Sequence, residues 1–168
     1  MMRKIFLVAA AAATSMVLAA CGFQLRGNAS LPYDTLHVAA SSTSGFAVDF
    51  RRAIVWSSRT RLVDNSKDAQ ATLHLLTETR EKLILSLSGG GRVREYDLRY
   101  RITYRVTDKD NKELRPPTQI MLRRDLSYND VDTLSKESEE TLLYRDMQAD
   151  AVNQVLRQLQ TPQPVAAR

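Results

Sequence analysis

From Tyr96 to Thr107 the chain alternates apolar and polar residues without a break. Tyr96, Leu98, Tyr100, Ile102, Tyr104 and Val106 fall on one side, and Asp97, Arg99, Arg101, Thr103, Arg105 and Thr107 on the other. Only a β-strand puts successive side chains on opposite faces. The segment therefore reads as a long strand with one face buried and one polar. Such a strand needs neighbours for its backbone groups and a cover for its apolar face. The remaining sequence has to supply both.

Before it, Ala71, Leu73 and Leu75 alternate with Thr72 and His74, and Leu83, Leu85 and Leu87 alternate with Ile84, Ser86 and Ser88. Gly89-Gly90-Gly91 then marks a turn, so this strand pairs antiparallel with the long one. Asp108-Lys109-Asp110-Asn111 is a second turn, and Glu113 to Leu126 a third hairpin strand that starts around Pro116-Pro117. Thr35 to Ala40 is a short strand and Asp64 to Asp68 a polar turn. Phe46, Phe50, Ala53 and Ile54 share one helical face within 46–59. Tyr144, Met147, Ala151, Val155 and Leu159 do so within about 136–160, with Ser135 as N-cap and Glu137, Glu139 and Glu140 near the helix start. The expectation is an α+β, two-layer sandwich: one mixed sheet of about four strands covered on one face by two helices.

The start of the chain belongs to targeting rather than to the fold. Arg3 and Lys4 precede an apolar run from Ile5 to Leu18, short for a membrane span, which ends in Leu18-Ala19-Ala20-Cys21. Leucine three positions before a cysteine, with small residues between, resembles a lipobox. It implies a signal peptide over 1–20, cleavage before Cys21 and acylation of its sulfur and amino terminus. An ordinary secretory signal with an incidental cysteine is the competing reading. Cys21 is the single cysteine, so no intrachain disulfide can form. In the bacterial lipoproteins that this start resembles, an aspartate after the cysteine favours inner-membrane retention; Gly22 in that place implies the outer membrane. Several acyl chains make a firm anchor. Residues 21–34 read as a tether, 35–160 as the domain and 161–168 as a frayed tail. Formal net charge is +5, of which Arg3 and Lys4 account for two. The weak basic excess suits an anionic partner such as a lipid phosphate, and export makes nucleic acid an implausible one.

No constellation of catalytic residues stands out. G-x-S-x-G, H-E-x-x-H and a phosphate-cradling loop are all missing, and the glycine triplet lacks the Lys-Ser/Thr of a P-loop. His37 and His74 lie far apart in sequence and read as polar-face residues rather than a metal or catalytic pair. The expectation is a protein that is not an enzyme and uses no cofactor. Arg99, Arg101 and Arg105 form a basic row, either a solvated face or a surface for anionic lipid or a polar protein wall. Tyr96, Tyr100 and Tyr104 read as core, and Trp56 as core or interface.

The segment Cys21-Gly22-Phe23-Gln24-Leu25-Arg26-Gly27 resembles the opening of the LptE family of lipopolysaccharide-assembly lipoproteins. The element order and the Glu95-Tyr96 pair after the glycine turn match as well. The resemblance implies residence in the lumen of the β-barrel LptD, help in assembling that barrel, and lipopolysaccharide binding during insertion into the outer leaflet. It also implies basic contacts in the central hairpin turn and just before the last helix. Lys136 matches the second position, and Arg92 is the basic residue nearest the first. Other readings are an auxiliary lipoprotein subunit of an exporter and an envelope hydrolase.

Overall fold

In the computed structural model, residues 31–129 and 133–161 are described. The expected signal peptide over 1–20, Cys21, the family-like opening segment, most of the expected tether and residues 162–168 lie outside them. The elements run β1 (Thr35–Ala39), α1 (Gly45–Ser57), β2 (Arg61–Leu62), a 3-10 turn (Ser66–Asp68), β3 (Ala71–Leu87), β4 (Val93–Asp108), β5 (Glu113–Ser127) and α2 (Thr133–Gln160). The sheet has five strands in the order β2-β1-β3-β4-β5. The fifth is the two-residue β2, too short to show a period. β1 pairs parallel with both neighbours, while β3-β4-β5 is an antiparallel meander.

β4 forms the floor of the core. Leu98, Tyr100, Ile102, Tyr104 and Val106 are fully buried, as the alternation predicts. Each buried tyrosine finds a partner for its hydroxyl: Tyr100 donates to Glu78 Oε1 at 2.7 Å, and Tyr104 donates to the Gln158 side chain. Burial raises both phenol pKa values, that of Tyr104 to about 12.

α1 covers the β1 side of the sheet with Phe46, Phe50 and Ile54, all fully buried. Ser44 is its N-cap and accepts from Ala47 N at 3.0 Å. Glu78 of β3 closes the same helix end, accepting from Ser44 Oγ at 2.5 Å and Phe46 N at 3.2 Å. A carboxylate is favourable at that pole of the helix. α2 lays Tyr144, Met147, Ala151, Val155 and Leu159 on the sheet. It begins at Thr133, so Ser135 lies inside the helix rather than capping it. Arg115 holds the opposite end, donating to the carbonyls of Gln158 and, at 3.0 Å, of Thr161. Gly45 lets the helices approach: a Cβ there would come within 2.9 Å of Gln148 Oε1.

β3 departs from simple alternation. Leu75 faces Tyr104 and Thr77 faces Thr103, so one extra residue, Leu76, is bulged out and half exposed. Beyond the bulge, Glu78, Arg80 and Lys82 pair with Ile102, Tyr100 and Leu98, the core-facing residues of β4. Charged residues thus sit beneath the helices and are all engaged there. Leu83, Leu85 and Leu87, which alternate in sequence, are not buried: they are 41%, 47% and 56% exposed. Pro116 and Pro117 fit inside β5 because it is an edge strand and its register shifts between Tyr104 and Val106 of its partner.

Candidate functional site

Lys136 lies near the start of α2, beside the outer half of β3 and β4. It lines a cleft of about 80 Å³ with Lys82, Tyr96, Leu126, Tyr128, Glu137 and Glu140. Lys82 Nζ is 2.6 Å from Glu140 Oε2 and 4.3 Å from the centroid of the Tyr96 ring. Tyr128 meets Tyr96 edge-on at 5.2 Å. Lys136 Nζ pairs with Glu139 Oε2 at 2.8 Å, one turn along the helix. The cleft therefore holds two ammonium groups beside aromatic walls, each neutralised by a carboxylate of α2.

Lys82 escapes a sequence reading because the Leu76 bulge changes which face it occupies. Its signal is visible only after the register is known. The Glu95-Tyr96 pair has separate jobs: Glu95 Oε2 accepts from Ser86 Oγ at 2.8 Å, and Tyr96 walls the cleft.

Arg92 is exposed in the turn between β3 and β4. Ser88 N donates to Arg92 O at 2.7 Å, Arg92 N donates to Ser88 Oγ at 3.1 Å, and Gly91 takes φ 76°, which suits glycine. Arg92 and Lys136 lie at the same end of the sheet but not in one cleft. Arg92 is four residue steps from Tyr96 along the strand, roughly 13 Å of rise.

The helix-free face of the sheet carries the basic row. Asp97, only 2% exposed, is gripped by Arg99 Nε at 2.7 Å and by both Nη2 (2.8 Å) and Nε (3.2 Å) of Arg123 on β5. The Arg123 hydrogen bond, with that of Arg99, holds the Asp97 carboxyl below the usual carboxylate range against the upward push of burial. Arg101 pairs with Glu81 at 3.3 Å. This face is an ordered set of charges rather than a loose solvated one.

The same face brings His37 and His74 together from adjacent strands, which their sequence separation hides. His37 Nδ1 bonds Val63 O and His74 Nε2 bonds Thr107 Oγ1, both at 3.0 Å. Burial, then Arg105, then His37 lower the His74 pKa. An arginine beside them opposes a bound cation. Among the described residues no group of three or more His, Cys, Asp or Glu converges to hold a metal, and no helix is long and apolar enough to cross a membrane. Trp56 is 82% exposed on α1, so it is not core. It borders a shallow groove between the helices, lined also by Arg52, Ala53, Ala149 and Val152.

The chain is similar to LPS-assembly lipoprotein LptE of Photorhabdus laumondii, 27% identical over 149 residues, covering 87% of this chain and 80% of that protein. Two solved structures share its fold. Lipoprotein B of Nitrosomonas europaea has 40% identity and a TM-score of 0.74, covering 83% of this chain and 90% of that one. Rare lipoprotein B of Shewanella oneidensis has 28% identity and a TM-score of 0.64, covering 74% and 92%. The model of the LptE lipopolysaccharide-assembly family matches residues 33–159. With that match spanning the sheet, both helices and the Lys82–Lys136 cleft, the chain belongs to the LptE family of lipopolysaccharide assembly.

Proposed function

We propose that this protein is an outer-membrane lipoprotein, anchored by acyl chains on Cys21, that plugs and helps assemble an LptD-like β-barrel. There it binds lipopolysaccharide during insertion into the outer leaflet. The observation that carries this reading is the helix-free sheet face, where Asp97 is buried between Arg99 and Arg123. Paired charges such as these suit the polar interior of a barrel. It would gain nothing against hydrocarbon.

Lipopolysaccharide binding is assigned to Lys136 and Arg92, whose cations match the phosphates of the lipid A region. The test is Lys136→Asp in the complete chain, with lipopolysaccharide affinity and thermal unfolding measured together. A carboxylate near the start of α2 agrees with the helix dipole, so the fold should persist. Affinity should fall about tenfold, the equivalent of one charge-assisted contact. Unchanged affinity in a folded variant would remove Lys136 from the site.

A further inference from the structure

The arginine row on the helix-free face of β4 is satisfied at one end and not at the other. Arg99 pairs with Asp97, and Arg101 with Glu81. Arg105 forms no ion pair or hydrogen bond with a described residue, and its Nε is a buried donor without an acceptor. The acid that the register brings to this end of the face, Glu113 opposite Thr107, is exposed and makes no ion pair with it. Buried donors left unpaired are rare in folded proteins and cost stability.

The neighbours of Arg105 offer it no relief. His74 faces it across the β3–β4 register, and His37 comes in from β1 on the far side of β3. Burial first, then Arg105 and then His37, lower the His74 pKa, so this ring is neutral at neutral pH. His37 Nδ1 donates to Val63 O at 3.0 Å, which leaves Nε2 as the lone-pair nitrogen while that ring is neutral. Thr72 and Thr107 of the same face are buried. The cluster therefore carries one permanent positive charge and lacks a negative one.

That charge selects the occupant. A single guanidinium matches a carboxylate, which has one charge and two acceptor oxygens. A phosphate group carries up to two charges and would find one cation here. Because Arg105 stands on the helix-free face, a partner surface that covers this face can bring the carboxylate. Asp97, Arg99, Arg123, Arg101 and Glu81 are already matched among themselves, so Arg105 is where that surface needs an acid.

We infer that Arg105, flanked by His74 and His37, is the docking point for one aspartate or glutamate on the inner wall of the enclosing barrel. This rests on the barrel reading and names the chemistry that the wall presents to the sheet.

The experiment uses the complete lipidated chain, tagged and extracted together with its barrel. Arg105→Lys puts a primary amine where the guanidinium stood. A water-soluble carbodiimide activates carboxylates, and an amine in contact with one forms an amide as the reagent leaves as its urea. Mass analysis should find residue 105 joined to an aspartate or glutamate of the barrel, with no such join in Arg105→Gln. The barrel should also dissociate about tenfold faster from Arg105→Gln than from the wild type. The free Arg105→Gln lipoprotein should melt no lower than the wild type, since the guanidinium has no internal partner to lose. The dissociation rate decides alone if Arg105→Lys does not fold. A co-purified complex in which residue 105 is joined to nothing, to Glu113 of its own chain or to a lipid phosphate overturns the inference and leaves the barrel reading standing. So does an unchanged dissociation rate from Arg105→Gln, as does a free variant that melts well below the wild type, the mark of a structural role. A lipoprotein recovered without any barrel refutes the barrel reading itself, and this inference with it.

Discussion

Lys82 and Glu140 meet at 2.6 Å across the gap between β3 and α2, with the ammonium lying over the Tyr96 ring. The contact ties helix to sheet and also occupies a cation that an anionic ligand would seek. A phosphate entering this cleft competes with a carboxylate already in place.

Glu140→Gln should therefore strengthen binding of a phosphorylated ligand, and Lys82→Gln should weaken it. Partly exposed pairs are worth little, so changes of about two- to fivefold are expected. Titration of each variant with the deacylated lipid A head checks both. Equal affinities in all three proteins would show that the cleft does not meet the phosphate.

Acid should act on the open sheet face first through His74 and then through Asp97. The folded state keeps His74 below its ordinary pKa. As pH falls through about 6.5 the unfolded chain takes the proton first, and stability declines until the folded-state value is passed. The Asp97 pKa is also lowered, chiefly by Arg123. Its contribution is intact above about pH 3.9 and is lost as pH falls below that toward the folded value. Urea unfolding across pH 3 to 8 should show both declines. His74→Asn should flatten the upper one and Asp97→Asn the lower.

Two aromatic residues of α1 should behave oppositely. Phe50 is fully buried, and Phe50→Ala should cost about 3–5 kcal/mol. Trp56 is 82% exposed, and Trp56→Ala should stay within about 0.5 kcal/mol. Chemical denaturation of both variants decides it.

Arg115 caps the end of α2 from β5. Arg115→Leu should leave those carbonyls without their charged donor, cost about 1.5–3 kcal/mol and speed amide exchange in the last helical turn. Unchanged exchange there would show that the cap contributes nothing.

The meander was legible because β4 states its own period so clearly, and both core stripes of the helices follow from their spacing. The extent of β3 was harder. One bulged residue, Leu76, moves Glu78, Arg80 and Lys82 under the helices, and no local pattern marks a bulge before its partner strand is known. Lys136 came from the family resemblance, whereas Lys82, which lines the same cleft, lies beyond that bulge and had no such pointer. Arg123 was missed for a related reason: its partner Asp97 is on another strand, 26 residues away in sequence. Ser135 looked like a cap because it precedes an acidic stretch, yet α2 starts earlier, at Thr133. The two histidines were separate in sequence and adjacent in the sheet, since β1 runs parallel beside β3.

The charged sheet face is proposed to work inside a barrel. Detergent extraction of outer membranes from cells carrying a C-terminally tagged copy, followed by mass analysis of what co-purifies, tests it most directly. A stoichiometric large β-barrel protein is expected, its yield falling when Asp97→Asn is combined with Arg123→Gln. A lipoprotein recovered alone, or with an inner-membrane exporter, would contradict it.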